Sequence, residues 1–147
     1  MNHNIKCKVI FNPPIGEPYE LIDIENLKKD IIDNFNEYWL QGSGDGFFEY
    51  YDKNNNNIST LMLGPNINAG IYLHYIDELQ KKDLLSLYNK EKLNEVLETA
   101  EEIYVSKGLF LPLNIAWNAI KYFMETGLPT PGVKWIYPED IPENGNW

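Results

Sequence analysis

The chain has 147 residues, of which 44% are hydrophobic and 14% aromatic, and its 12 basic and 22 acidic residues give a formal charge of −10. That length suits one hydrophobic core and is short for two, so a single domain over 1–147 is expected. Acidity of this degree argues against binding to nucleic acid or to an anionic membrane, which both need clustered positive charge, and Cys7 as the only cysteine rules out an internal disulfide or a cysteine-built metal cluster.

Every basic residue is a lysine. The opening "MNHNIKCKVIFNPP" has no long apolar region, and no stretch approaches the roughly 20 apolar residues of a membrane helix, so a cytoplasmic location is expected. The surplus of carboxylates fits a basic protein partner, and it fits solubility alone equally well.

In chain order, "IKCKVIF" alternates, with Ile5, Cys7, Val9 and Phe11 on one face and Lys6 and Lys8 on the other, which predicts a half-buried strand with Cys7 in the core. After "NPPIGEP" the residues Ile24, Leu27, Ile31, Phe35 and Tyr38 recur at helical spacing behind Asp23, a suitable N-cap, so a helix is expected over 24–39. Gly42, Gly44 and Gly46 follow that helix and precede the aromatic run "FFEYYD". A phosphate loop needs the reverse order, strand then helix N-terminus, so these glycines read as a helix exit and turn. "DKNNNNIS" opens like a calcium loop, but Asn57 and Leu63 stand where that loop needs glycine and glutamate; an asparagine-rich hairpin turn explains it better. "ISTLMLG" and "AGIYLHYID" then continue an antiparallel meander over 47–77.

The stretch 78–102 is compatible with a short helix followed by an edge strand. "IYVSKGLFLP" reads as one strand, and "LPLNIAWNAIKYFMETGLP" as the clearest helix, with Pro112 at its start, Gly127 past its end, and Trp117 and Phe123 on its apolar stripe. "VKWIYP", which contains Trp135, closes the sheet, and "EDIPENGNW" reads as a polar tail. The expected fold class is α+β, an antiparallel sheet of about five to six strands with two main helices packed on it.

Catalytic signals are sparse. His3 and His74 lack a local metal-ligand partner, and neither a nucleophile elbow nor a Cys–His pair is present. Asp45 with Glu49, or Glu49 with Asp52, could do acid–base work in a small hydrolase. An acidic, aromatic-rich domain without a reactive constellation has the profile of a protein-binding module, since Tyr and Trp give contact area at low entropic cost. Candidate contact residues are Asp45, Glu49, Tyr51 and Asp52 around the first hairpin, with Tyr72 and Asp77. No metal, cofactor or small-molecule substrate is expected.

"GLFLPLNIAWNAIKYFMETGLPTPGVKWI", residues 108–136, resembles the closing helix, the Phe-x-x-Thr-Gly exit and the Trp-bearing last strand of the first-described immunity-protein family of bacterial polymorphic toxin systems. "GSGDGFFEYYD" followed by "GIYLHYID" resembles that family's glycine-rich entry into its central strands. The likeness covers most of the chain from Gly42 onward, departs from the family in the longer 78–102 stretch, and gives Phe123, Gly127 and Trp135 structural roles. It implies an α+β protein without enzymatic activity that binds and neutralises a cognate toxin effector domain, often a nucleic-acid deaminase, by covering its active site. An immunity protein of another α+β superfamily and the carboxylate-dependent hydrolase remain the alternatives.

Overall fold

The computed structural model of the chain describes residues 7–100 and 102–147, and in it the alternating stretch "KVIFN" forms β1 (Lys8–Asn12) with Val9 and Phe11 buried. Cys7, expected in the core, is exposed. Pairing with the neighbouring strand begins only at Lys8, opposite Tyr51, so Cys7 lies beyond the last paired residue. His3, Ile5 and Lys6 lie outside the described residues.

The fold is α+β, with an antiparallel main sheet. β2 (Tyr19–Glu20), β3 (Gly46–Tyr51), β4 (Asn57–Asn66), β5 (Gly70–Asp77) and β6 (Lys82–Leu87) follow β1. β7 (Val96–Glu98) and β8 (Tyr104–Ser106) pair only with each other, and β9 (Phe110–Leu111) and β10 (Lys134–Ile136) complete the set. The main sheet runs β10-β6-β5-β4-β3-β1-β2, with β9 also beside β5, and so has eight strands rather than the expected five to six. The meander expected over 47–77 is present as β3, β4 and β5. The additional strands of the main sheet are β2, from "YE", and β6, from 78–102, which also forms β7 with only a short 3-10 turn between them instead of a helix. "IYVSKGLFLP" also divides: the Gly108 carbonyl accepts the amide hydrogens of Tyr88 and Asn89, at 2.8 and 3.0 Å, and draws the chain out of the strand between β8 and β9.

One joint holds this arrangement. β5 shares a single edge between two partners, with His74–Asp77 pairing to β6 and Ile71 and Tyr72 pairing to β9. Leu73 falls in the gap. Its amide donates to Ser86 Oγ at 3.0 Å, and the Ser86 hydroxyl in turn donates to the Leu109 carbonyl at 2.7 Å. Ser86 is fully buried, so one hydroxyl satisfies two backbone groups that water does not reach.

Helices cover one face of the sheet. Asp23 caps α1 (Ile24–Lys28), its Oδ1 accepting from the Asn26 amide at 3.1 Å. A π-helical turn follows over Lys29–Asp33, and then α2 (Phe35–Tyr38). Leu27, Ile31, Phe35 and Trp39 are the buried residues, each four positions after the last. In an α-helix every such step overshoots a full turn by about 40°. The wider π turn absorbs that drift and keeps all four on the sheet, which puts Trp39 in the core and leaves Tyr38, the expected position, half-buried. Trp39 Nε1 donates to the Ile31 carbonyl at 3.0 Å across the same turn.

α3 (Leu113–Thr126) follows the expected stripe, burying Trp117, Ile120 and Phe123. Gly127 ends it with φ of 73°, a left-handed conformation that favours glycine, and a Cβ there would meet the Tyr50 ring. Its carbonyl accepts from Ser59 Oγ at 2.7 Å and from Tyr75 Oη at 3.2 Å, which fastens the helix end to β4 and β5. Trp135 is half-buried and donates from Nε1 to the Thr130 carbonyl at 2.8 Å. The "EDIPENGNW" segment is tied down: the Ser106 amide donates to the Asn146 carbonyl at 2.8 Å, the Asn146 amide donates to Ser106 Oγ at 3.0 Å, and Asn146 Nδ2 donates to the Tyr104 carbonyl at 2.7 Å. Among the described residues, no helix is long and apolar enough to cross a membrane.

Two stability outcomes follow. Ser86→Ala should cost about 1–3 kcal/mol, the range for orphaning buried backbone groups. Trp117→Ala should cost roughly 3–5 kcal/mol and Trp135→Ala less, because Trp135 is already partly solvated. Urea unfolding of the three variants measures both, and equal losses at the two tryptophans would contradict the burial difference.

Candidate functional site

The pleat gives the sheet two faces, and residues directly opposite one another on paired strands share a face. On the face away from the helices, Ile10, Glu49, Thr60, Ile76 and Asp83 form one cross-strand row. Asn12, Phe47, Met62, His74 and Leu85 form the next. The half of this face over β5, β6 and β9 is covered, because Tyr72, Leu85 and Phe110 pack against Leu93, Val105 and Leu109 of the long connection that carries the β7–β8 ribbon. At the end of β4, Thr99 packs on Gly64 and the Glu98 carbonyl accepts from Asn66 Nδ2 at 2.9 Å; among the described residues, the half over β1, β3 and the start of β4 has no such cover. Met62 is 39% exposed there, and Ile10, Phe47, Glu49 and Tyr51 are partly exposed.

Hydrogen bonds fix the polar groups of the open half. Asn12 Nδ2 donates to Glu49 Oε1 at 3.1 Å, and the Tyr51 hydroxyl donates to Glu49 Oε2 at 3.4 Å. Burial, followed by the Glu49 charge and this bond, raises the Tyr51 phenol above its ordinary value. The Lys8 ammonium stands 5.5 Å from the centre of the Tyr51 ring. Thr60 Oγ1 donates to Glu78 Oε2 at 2.7 Å, while Lys81 approaches the other Glu78 oxygen at 3.6 Å. His74 Nε2 and Asp83 Oδ2 are 2.8 Å apart, and the Trp147 ring stands edge-on to the imidazole with centroids separated by 5.3 Å. Glu49 forms no ion pair among the described residues, so the middle of the open half presents a carboxylate held in one orientation beside Phe47 and Met62.

The expected contact residues separate. Glu49 and Tyr51 lie together on this face. Asp45 is half-exposed where β3 begins, accepting from Ser43 Oγ at 2.9 Å, and Asp52 is at the strand's other end, about 23 Å away by the rise of an extended chain. Asp52 Oδ1 accepts the amides of Asn54 and Asn56, both at 2.9 Å. These bonds, that of Asn56 foremost, hold its carboxyl below the usual carboxylate range. Asp77 is occupied similarly, taking the amides of Leu79 and Gln80 at 3.0 Å. Tyr72, expected to be exposed, is instead buried at 7% exposure among Phe110 and the second core, because the ribbon connection closes over it. Phe47, Met62, Ile10 and Asn12 were not anticipated. Alternation in "GFFEYY" groups Phe47 with Glu49 and Tyr51, but only the register with β4 and β1 adds the others.

By strand rise the backbones of Asp45 and Glu49 are roughly 13 Å apart and those of Glu49 and Asp52 roughly 10 Å, and each carboxylate is engaged by different neighbours: Ser43 for Asp45, Asn12 and Tyr51 for Glu49, and the amides of Asn54 and Asn56 for Asp52. Among the described residues, no group of three His, Cys, Asp or Glu side chains is placed to hold a metal ion. Gly42 and Gly44 have φ of 52° and 79° and lie between α2 and β3, and a Cβ on Gly42 would strike the Pro14 carbonyl; the stretch is a turn packed on a neighbouring loop.

Burial, then the charge of Asp83, raises the Tyr72 phenol. A raised phenol contributes stability that is complete below its unfolded value near 10 and is lost as pH rises from there through the folded value. The melting temperature of the wild type should therefore fall between about pH 9 and pH 11 more steeply than that of Tyr72→Phe, which keeps the ring and lacks the proton. Parallel slopes would show that Tyr72 titrates as an exposed phenol. Comparison of the chain with models of protein families, with curated proteins and with solved structures finds no match, so a functional reading rests on this geometry.

Proposed function

We propose that the protein is an immunity protein: it binds a cognate toxin in the cytoplasm and neutralises it by covering its active site with the open half of the sheet. The observation that carries this reading is the uncovered face itself, a fixed carboxylate between Phe47, Met62 and Tyr51 on a chain of formal charge −10. An effector domain that acts on nucleic acid, such as a deaminase, has a basic groove. An acidic face steers such a groove into contact, and a semi-apolar centre supplies the buried area that slows escape. The motif resemblance of residues 108–136 points the same way. The hydrolase alternative draws no support from Asp45, Glu49 and Asp52, which share no hydrogen-bond partner.

The test uses the polypeptide encoded by the adjacent gene. Co-expression should relieve its toxicity. In stopped-flow binding, Glu49→Lys should slow association and flatten its salt dependence, while Phe47→Ala and Met62→Ala should speed dissociation, each by an amount worth about 1–2 kcal/mol. Wild-type rates in all three variants would remove this face from the interface, and an adjacent gene product that neither harms the cell nor binds would remove the reading.

A further inference from the structure

A second surface lies at the end of the sheet where β3 begins and β4 ends. Two open clefts of about 590 and 510 Å³ adjoin there, sharing Phe35, Asn36 and Ile67 as the ridge between them. Each has the volume of a ligand site. The first is bounded by the end of the π turn, Pro112 and Leu113, and the second by Trp39, Pro65 and the Gly42–Gly44 turn. Asp33 and Glu37 stand on the rim of the first cleft, and Glu98 on that of the second. None of the lining residues of either cleft is a lysine. The ridge residue Ile67 is 57% exposed, and Leu40, at the second cleft, is 79% exposed. The π turn contributes directly: by widening the helix at Lys29–Asp33 it turns Trp39 inward onto the sheet and leaves Asp33, Asn36 and Glu37 facing out along the cleft.

We infer that the paired clefts seat an extended, arginine- or lysine-bearing segment of a polypeptide partner, with apolar side chains against Ile67, Leu40 and the cleft floor and cationic ends against Asp33, Glu37 and Glu98. Two clefts in line on either side of a ridge suit a chain that lays successive side chains to either side, and carboxylates without lysine along that length select positive charge. A second copy of this chain is a poor occupant, since it brings a charge of −10 to a carboxylate rim. The inference does not depend on the toxin reading: these clefts lie at the sheet end, and any basic partner could use them.

The probe is a synthetic peptide of alternating arginine and leucine with blocked ends, titrated by calorimetry and by tryptophan emission, since Trp39 lines the second cleft. Saturable binding is expected, weakened about tenfold or more by the double variant Asp33→Asn/Glu37→Gln and by Ile67→Lys, and unchanged by Glu139→Gln, an exposed carboxylate outside both clefts. Each variant is read beside its far-ultraviolet circular dichroism spectrum, and the substituted cleft side chains are exposed. Spermidine should compete weakly, since it brings charge without leucine side chains. The inference is overturned if no saturable binding occurs, if the cleft variants bind as the wild type does, if Glu139→Gln weakens binding as much as they do, or if spermidine displaces the peptide at matched charge. The toxin reading would survive each of those results.

Discussion

The fully buried hydroxyl of Ser86 decides how the rest of the chain can be arranged. A strand has only one edge on each side, yet β5 accepts β6 along its later half and β9 along its earlier half, and the Leu73 amide between them would be orphaned without the bridge to Leu109. Leaving such a group unsatisfied in a dry interior costs more than an average hydrogen bond contributes. The bridge therefore permits the chain to leave the sheet after β6 and return beside the same strand. The excursion between these points has to lie on one face, and it lies on the face without helices.

From this follows the division of that face. The excursion brings Leu93, Val105 and Leu109 over Tyr72 and Leu85 and makes a second small core. Among the described residues it covers β4 only at its end, where Thr99 packs on Gly64 and the Glu98 carbonyl accepts from Asn66. A sheet face covered over half its width leaves Phe47 and Met62 beside a fixed carboxylate at the boundary, and this combination of apolar surface and oriented charge distinguishes the open half from an ordinary solvated strand.

Much of the architecture was legible in the sequence, because the signals were local. The helix over Leu113–Thr126 announced itself by its stripe, its proline and its terminal glycine, and the Asp23 cap and the β3–β5 meander were equally plain. The first helix misled at its end, since periodicity assumes 3.6 residues per turn and the π turn breaks that count, moving the buried aromatic from Tyr38 to Trp39. The sheet exceeded its expected size because a strand as short as Tyr19–Glu20 carries no pattern of its own and exists only by pairing, and because Lys82–Leu87, in a stretch also compatible with a helix, pairs with β5. The candidate site was half legible for the same reason. Alternation grouped Glu49 with Tyr51, whereas the outward direction of their face, and the burial of Tyr72, depend on a connection whose course is set by the distant contact of Ser86 with Leu109.

The oriented carboxylate on the open half also bears on what this protein avoids. A sheet face with Phe47 and Met62 uncovered invites two copies to meet face to face, and a twofold contact of that kind repeats every residue against its own set. Glu49 of each copy would then be buried in a shared apolar patch with another uncompensated carboxylate, without arginine anywhere in the chain to relieve it. The carboxylate that the proposed basic partner would complement thus penalises a face-to-face contact between two copies of the chain.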